Sequence, residues 1–229
     1  MKNNQFWELK QSGSDTLELY IYSTVESDSW WKESETSAKH FRDALAQHPN
    51  AKEIKVYINS LGGSVMEGIA IYNQLKRHSA HKTVIVDGFA CSIASVIAMA
   101  GDTVIMPKNT VMMIHNAWTI AMGNSAELRK AADDLEVINQ ASKQAYLDKS
   151  GGKITEEKLT ELLDGETYLT AEQCIGYGFA DKYSADDSKD DTGSTAKEQA
   201  AQQTAEQMAV AEMEKRKAKA LAAINKYFG

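Results

Sequence analysis

The sequence predicts an α/β protein whose parallel strands are joined by crossover helices. Apolar, β-branched runs at 54–59 and 83–86 each lead into a segment with helical spacing, and further strands follow at 103–106 and 111–114. Strand, helix, strand, helix, strand is the order that builds a parallel sheet with helices packed on its faces. At 229 residues, with 43% hydrophobic side chains and two prolines, the chain has material for one ordinary domain and an appendage.

In chain order, strands are expected at 6–10 and 16–23, separated by a turn at 12–15. Leu17, Leu19 and Ile21 carry the two-residue period of a half-buried strand. Trp30 and Trp31 fall on a loop, as an interface patch or as packing beneath it. A helix over 37–47 shows Ala38, Phe41, Ala44 and Leu45 on one face and ends near Pro49. Strand 54–59 puts Ile54, Val56 and Ile58 on one side and runs into Ser60, Leu61, Gly62 and Gly63. Ser64 and Glu67 form a capping-box pattern, after which Val65, Ile69, Tyr72 and Leu75 recur at helical spacing.

The stretch 87–101 reads as a strand end, a tight turn at Gly88 and a small-residue helix that begins at Ser92 and closes at Gly101. A turn at 107–109 separates the next two strands. Over 125–149, Leu128, Ala131, Ala132, Leu135, Ile138, Ala141 and Ala145 share a helical face opposite a charged one. So long a helix projects from so small a domain; its stripe is buried against another subunit or folded back on its own core. Thr155 caps a helix to 163, Thr170 with Gln173 starts one that ends at 177–178, and 179–183 is a last strand. These segments make a domain over 1–183. A polar linker at 184–195 is expected to be disordered. The tail 196–229 has a thin apolar stripe of Met208, Met213, Leu221 and Ile224, and is either a docking helix or a solubilising extension.

The formal charge of −7 argues against a nucleic-acid or anionic-membrane partner, both of which need a basic surface. Cys91 and Cys174 stand far apart in apolar surroundings, which points to reduced core thiols rather than a disulfide or zinc site. No secretory h-region opens the chain, and the longest apolar run, 88–101, is too short to span a bilayer. A soluble cytoplasmic protein is expected, with no metal, nucleotide or other cofactor site in view.

Four features bear on chemistry. Ser92, at a helix entry, is either an N-cap or a nucleophile set beside unpaired backbone N–H groups. Gly62 and Gly63 leave backbone N–H groups open to a substrate oxygen. His115 ends a strand at the edge where an α/β sheet forms its crevice. Asp164 and Glu166 sit on a turn taken to enter a helix. Each has an ordinary structural use when taken singly, and it is their order along the chain that gives them weight.

That order is carried by Ile58-Asn-Ser-Leu-Gly-Gly-Ser-Val65, Gly88-Phe-Ala-Cys-Ser-Ile-Ala-Ser95, Met113-Ile-His-Asn116, Glu166-Thr-Tyr-Leu-Thr-Ala171 and Gly176-Tyr-Gly-Phe-Ala-Asp181. It resembles the Clp protease proteolytic-subunit family over about residues 16–183. Ile71 to Lys76, Ser95 to Gly101, His115 to Trp118 and Glu127 to Leu135 are similar to its phage branch, the head maturation (prohead) proteases. The resemblance implies a ClpP/crotonase-like spiral of βαβ units with a protruding handle helix. It implies Ser92 as nucleophile, His115 as general base and Glu166 as the third member, with Asp164 as the rival for that place. Gly63 and Ile93 match the oxyanion-hole donors, and Gly62, Ser64, Val65 and Met66 match the edge along which a peptide lies.

The partners it implies are further copies in a ring or stacked rings, protein substrates of the phage capsid or scaffold kind, and a host Clp ATPase. Leu61, Cys91 and Ala94 replace the proline, alanine and glycine of the housekeeping branch, and the first residues do not resemble the segment that engages the ATPase. Other readings are an ATPase-fed degradative peptidase, a non-catalytic capsid assembly protein, and a crotonase-type acyl-CoA enzyme, the last disfavoured by the Ser92 and His115 set.

Overall fold

Period-two burial organises the sheet. Strand β1 (Trp7–Ser12) pairs antiparallel with β2 (Thr16–Tyr22), and β2 runs parallel to β3 (Glu53–Ser60) with Leu19 opposite Val56. Leu17, Leu19, Ile21, Ile54, Val56 and Ile58 all lie on the covered face and are at most 1% exposed. Burial of each such side chain contributes about 1.5–3 kcal/mol. The structure, a computed structural model, describes residues 6–25 and 37–185 and the helical positions Ala211, Glu214, Lys215, Ala218 and Ala222. Trp30 and Trp31, the linker beyond Ala185 and the tail stripe Met208, Met213, Leu221 and Ile224 lie outside the described residues.

Helices α1 (Ala38–Ala46) and α2 (Val65–Arg77) follow β2 and β3. Ser64 Oγ accepts from Glu67 N, as the capping pattern predicts. The reciprocal half of that box does not form, because Ser64 N donates instead to Val25 O at 2.8 Å. The Glu67 carboxylate turns to the start of α1 and accepts from Ala38 N at 2.6 Å.

Strand β4 (His81–Cys91) is eleven residues long and pairs with β3 along one edge. Its other edge is shared in succession by β5 (Thr103–Ile105) and β6 (Val111–Ile114), both parallel to it. The turn expected at Gly88 is therefore absent, and the strand continues through it. A register shift between Ile58 and Ser60 absorbs the irregularity, and the Asn59 side chain accepts from Phe89 N across it. The chain turns only at Ser92, entering the six-residue α3 (Ile93–Ala98).

Helix α4 (Ser125–Ser150) opens with a full capping box between Asn124 and Glu127 and closes on left-handed Gly151. Its buried residues are Asn139, Ala145, Tyr146 and Ser150, so its first half projects and leaves Leu128, Val137 and Ile138 exposed. After α5 (Glu156–Asp164) comes β7 (Thr167–Thr170), antiparallel to β6, and then α6 (Ala171–Tyr177) with the expected Thr170–Gln173 box. The turn at 164–166 thus enters a strand, not a helix. The strand expected at 179–183 reduces to one bridge between Ile105 and Lys182, because Phe179 N and Ala180 N both turn back to Cys174 O.

The seven-stranded sheet runs β1-β2-β3-β4-β6-β7, with β5 on β4, and this is the α/β architecture anticipated from the strand and helix order. Among the described residues no helix is long and apolar enough to cross a membrane, and no cluster of three His, Cys, Asp or Glu is arranged to hold a metal ion.

Candidate active site

Ser92 sits where β4 stops, with φ 55° and ψ −130°. A non-glycine residue held in so sparsely populated a region costs about 1–3 kcal/mol, and such strain concentrates at functional sites. Its side chain makes no capping hydrogen bond to α3, so the N-cap use does not account for the hydroxyl. Cys91 pairs with Met113 across β4 and β6, and Ser92 N donates to Met113 O at 2.8 Å. This pairing carries the end of β6 alongside Ser92 and brings His115, the residue after β6, within reach. His115 Nε2 lies 2.7 Å from Ser92 Oγ, with the hydroxyl donating when Nε2 is the unprotonated nitrogen.

The register of β6 with β7 bears on the third member. Ile114 pairs with Thr167 in the last step of the antiparallel ladder, so His115 directly follows β6 at the same sheet end where Glu166 directly precedes β7. Glu166 carries a positive φ of 46°, which ends the ladder there and turns the chain. Asp164 is engaged elsewhere: its Oδ1 accepts from Asn116 Nδ2 at 2.7 Å.

The glycine loop closes the other side. Val25 N donates to Gly62 O and Ser64 N to Val25 O, so this loop is held against Val25 as a short parallel bridge. Among the described residues no acceptor is bonded to the N–H of Gly63, and the N–H of Ile93, first in α3, has no intrahelical partner. Gly62 has φ +85°, and a Cβ there would stand 2.6 Å from Ser92 Cβ and 3.1 Å from Ile93 N. A Cβ on Gly63 would meet Val25 O at 2.1 Å. Only glycine lets the loop lie this close to the serine. Ser64 is half-buried and caps α2, Val65 packs on the core, and Met66 is 76% exposed at the rim.

Neighbouring groups that invite confusion are otherwise occupied. Ser95 is fully buried, donates to Ser92 O and meets the Tyr146 hydroxyl at 2.6 Å. Burial pushes the Cys91 thiol up to about 12, so it remains protonated and inert as a nucleophile. Sequence reasoning passed over Asn116, Asn139 and Tyr146. The one signal for the last two was a pair of polar groups, seven positions apart, on the α4 face that carries apolar Ala132 and Leu135.

The family model described as Clp protease matches residues 33–186, a span that includes Gly62, Gly63, Ser92, Ile93, His115 and Glu166. Among curated proteins, the chain is similar to the ATP-dependent Clp protease proteolytic subunit of Ligilactobacillus salivarius (strain UCC118). The two are 37% identical over 140 residues, 60% of this chain and 70% of that one.

Proposed function

The chain belongs to the Clp protease family of serine-type peptidases, and from that premise we propose that it is an endopeptidase working through Ser92, His115 and Glu166. The observation that carries this reading is the 2.7 Å Ser92–His115 pair at a strained, uncapped elbow. In it, His115 Nε2 takes the Ser92 proton as Oγ attacks a peptide carbonyl carbon. The N–H groups of Gly63 and Ile93 receive the oxyanion, and His115 returns the proton to the leaving amine. Water, deprotonated by the same imidazole, then hydrolyses the acyl-enzyme. Glu166 holds the imidazole and balances its charge. The peptide lies extended along Gly62, Ser64, Val65 and Met66. Mass spectrometry of digests is expected to show internal fragments; trimming from chain ends alone contradicts the endopeptidase reading.

Glu166 and Asp164 are separable. Glu166→Gln is expected to lower kcat by roughly 10⁴-fold, the order of loss when the carboxylate behind a catalytic histidine is removed. Asp164→Asn, which leaves an oxygen to accept from Asn116, is expected to cost less than about fivefold. Steady-state kinetics on one peptide checks both, and the reverse order assigns the role to Asp164.

The substrates we propose are phage capsid or scaffold proteins cleaved during head maturation in the host cytoplasm, on the strength of the phage-type motifs at 71–76, 95–101, 115–118 and 127–135. The name of the Ligilactobacillus relative favours a second reading, degradation fed by a Clp ATPase. ATP-independent cleavage of a capsid precursor at fixed bonds supports the first, and ATP-stimulated digestion of an unfolded protein with a host ATPase supports the second.

Family members form rings, and the projecting half of α4 is the surface we propose for pairing copies, with Val137 72% exposed. Val137→Glu combined with Ile138→Glu is expected to reduce the mass in light scattering to smaller species. An unchanged mass removes α4 from the interface.

A further inference from the structure

Two buried polar side chains of α4 play no part in the mechanism above. Asn139, 8% exposed, accepts from Ala117 N at 2.8 Å, and Ala117 lies two residues beyond His115. Tyr146, 1% exposed, reaches Ser95 Oγ at 2.6 Å, and Ser95 donates its one proton to the main-chain oxygen of Ser92. With that proton committed, the Tyr146 hydroxyl is the donor of the pair. Burial drives its phenol above the ordinary tyrosine range, so it stays a donor throughout the working pH range.

The two residues are seven positions apart on one helix, hence on one face and about 10.5 Å apart along the axis. Ser92 and His115 are 23 residues apart in sequence and lie on different strand ends. One stretch of helix therefore bonds directly to the main chain just beyond His115 and, through the Ser95 hydroxyl, to the main-chain oxygen of Ser92. Stability does not require this. Replacing both members of a buried hydrogen-bonded pair with apolar groups is often close to neutral, whereas removing one leaves the other unsatisfied.

We propose that Asn139 and Tyr146 are positioning residues, and that α4 is the strut that sets the separation of Ser92 and His115. This rests on the reading of those two as catalytic. A misplacement of about 1 Å can cost roughly a hundredfold in rate, so the strut acts on kcat while leaving substrate contacts alone.

The test uses the full-length chain in its assembled state. It measures the rate constant for phosphonylation of Ser92 by a fluorophosphonate, the fraction of chains labelled at completion, kcat and KM on a peptide, and the melting temperature. Tyr146→Phe and Asn139→Leu are each expected to slow labelling and kcat by about ten- to a hundredfold, with KM unchanged and labelling still reaching one per chain. The deciding variant is Ser95→Ala with Tyr146→Phe, which leaves no orphaned polar group. It is expected to recover the wild-type melting temperature and keep the slow rate.

If the double variant recovers both stability and rate, Tyr146 only satisfies a buried group and the positioning role is overturned. A wild-type rate per labelled site in Tyr146→Phe and Asn139→Leu overturns it too. A wild-type chain that takes no label at Ser92 fails differently, since it removes the catalytic reading and the strut with it.

Discussion

Ser92→Ala is expected to reduce peptide cleavage by roughly 10⁴–10⁶-fold while leaving thermal stability in place. The two halves of that result separate the two uses of a serine at a helix entry. An N-cap serine accepts from the first turn, and its loss costs about 0.5–2 kcal/mol. The Ser92 side chain makes no such bond, and its oxygen lies instead 2.7 Å from His115 Nε2. Alanine tolerates the φ of 55° no better and no worse than serine, so the backbone strain is common to both proteins. Denaturant melts beside a peptide assay check it: a stability loss with activity retained returns Ser92 to a cap. On the proposed mechanism, in which the two act as one unit, His115→Ala is expected to match Ser92→Ala and the double variant to add little.

Gly62→Ala is expected to be nearly as damaging, for steric reasons. The new methyl arrives 2.6 Å from Ser92 Cβ and 2.7 Å from Cys91 O, distances that real Cβ atoms do not show. Either the glycine loop or the serine elbow must yield, and both are held: the loop by Val25, the elbow by Met113 O. A shift of the proposed oxyanion donors, Gly63 and Ile93, relative to Ser92 as the proposed nucleophile is expected to lower kcat/KM by roughly 10²–10³-fold. Gly13→Ala is the control. Gly13 has a similar φ of +82°, but a Cβ there meets nothing within 4 Å. It carries the conformational penalty without the collision, so its activity is expected to stay near wild type. Equal losses in the two variants leave the loss to backbone strain rather than to contact with Ser92.

The parallel strands were legible because Ile54, Val56 and Ile58 alternate cleanly and the turns and caps at Ser64, Thr155 and Thr170 are local chemistry. Strand β7 was not, since four residues, Thr167–Thr170, show too little alternation to stand apart from the helix that follows. Asp87 and Gly88 read as a turn by composition, yet strand β4 continues through them because Asn59, far off in sequence, bridges the irregularity. Phe179 to Tyr183 has the composition of a strand, but the exit from α6 draws its first two N–H groups back to Cys174.

At the site, Ser92 and His115 were visible only as members of an ordered set, because either residue alone has a commoner structural use. Glycine at 62 and 63 was visible as glycine, whereas the reason, contact with Ser92 and Val25, is tertiary. Asn139 and Tyr146 were out of reach for the same cause. Their partners, Ala117 N and Ser95, come from segments that meet only after α4 has docked.

The most direct measurement is fluorophosphonate labelling of the full chain, read by intact mass and peptide mapping. One adduct per chain is expected, on Ser92, and it fails to form in His115→Ala. No adduct, an adduct on another residue such as Ser95, or labelling at full rate without His115 would contradict it.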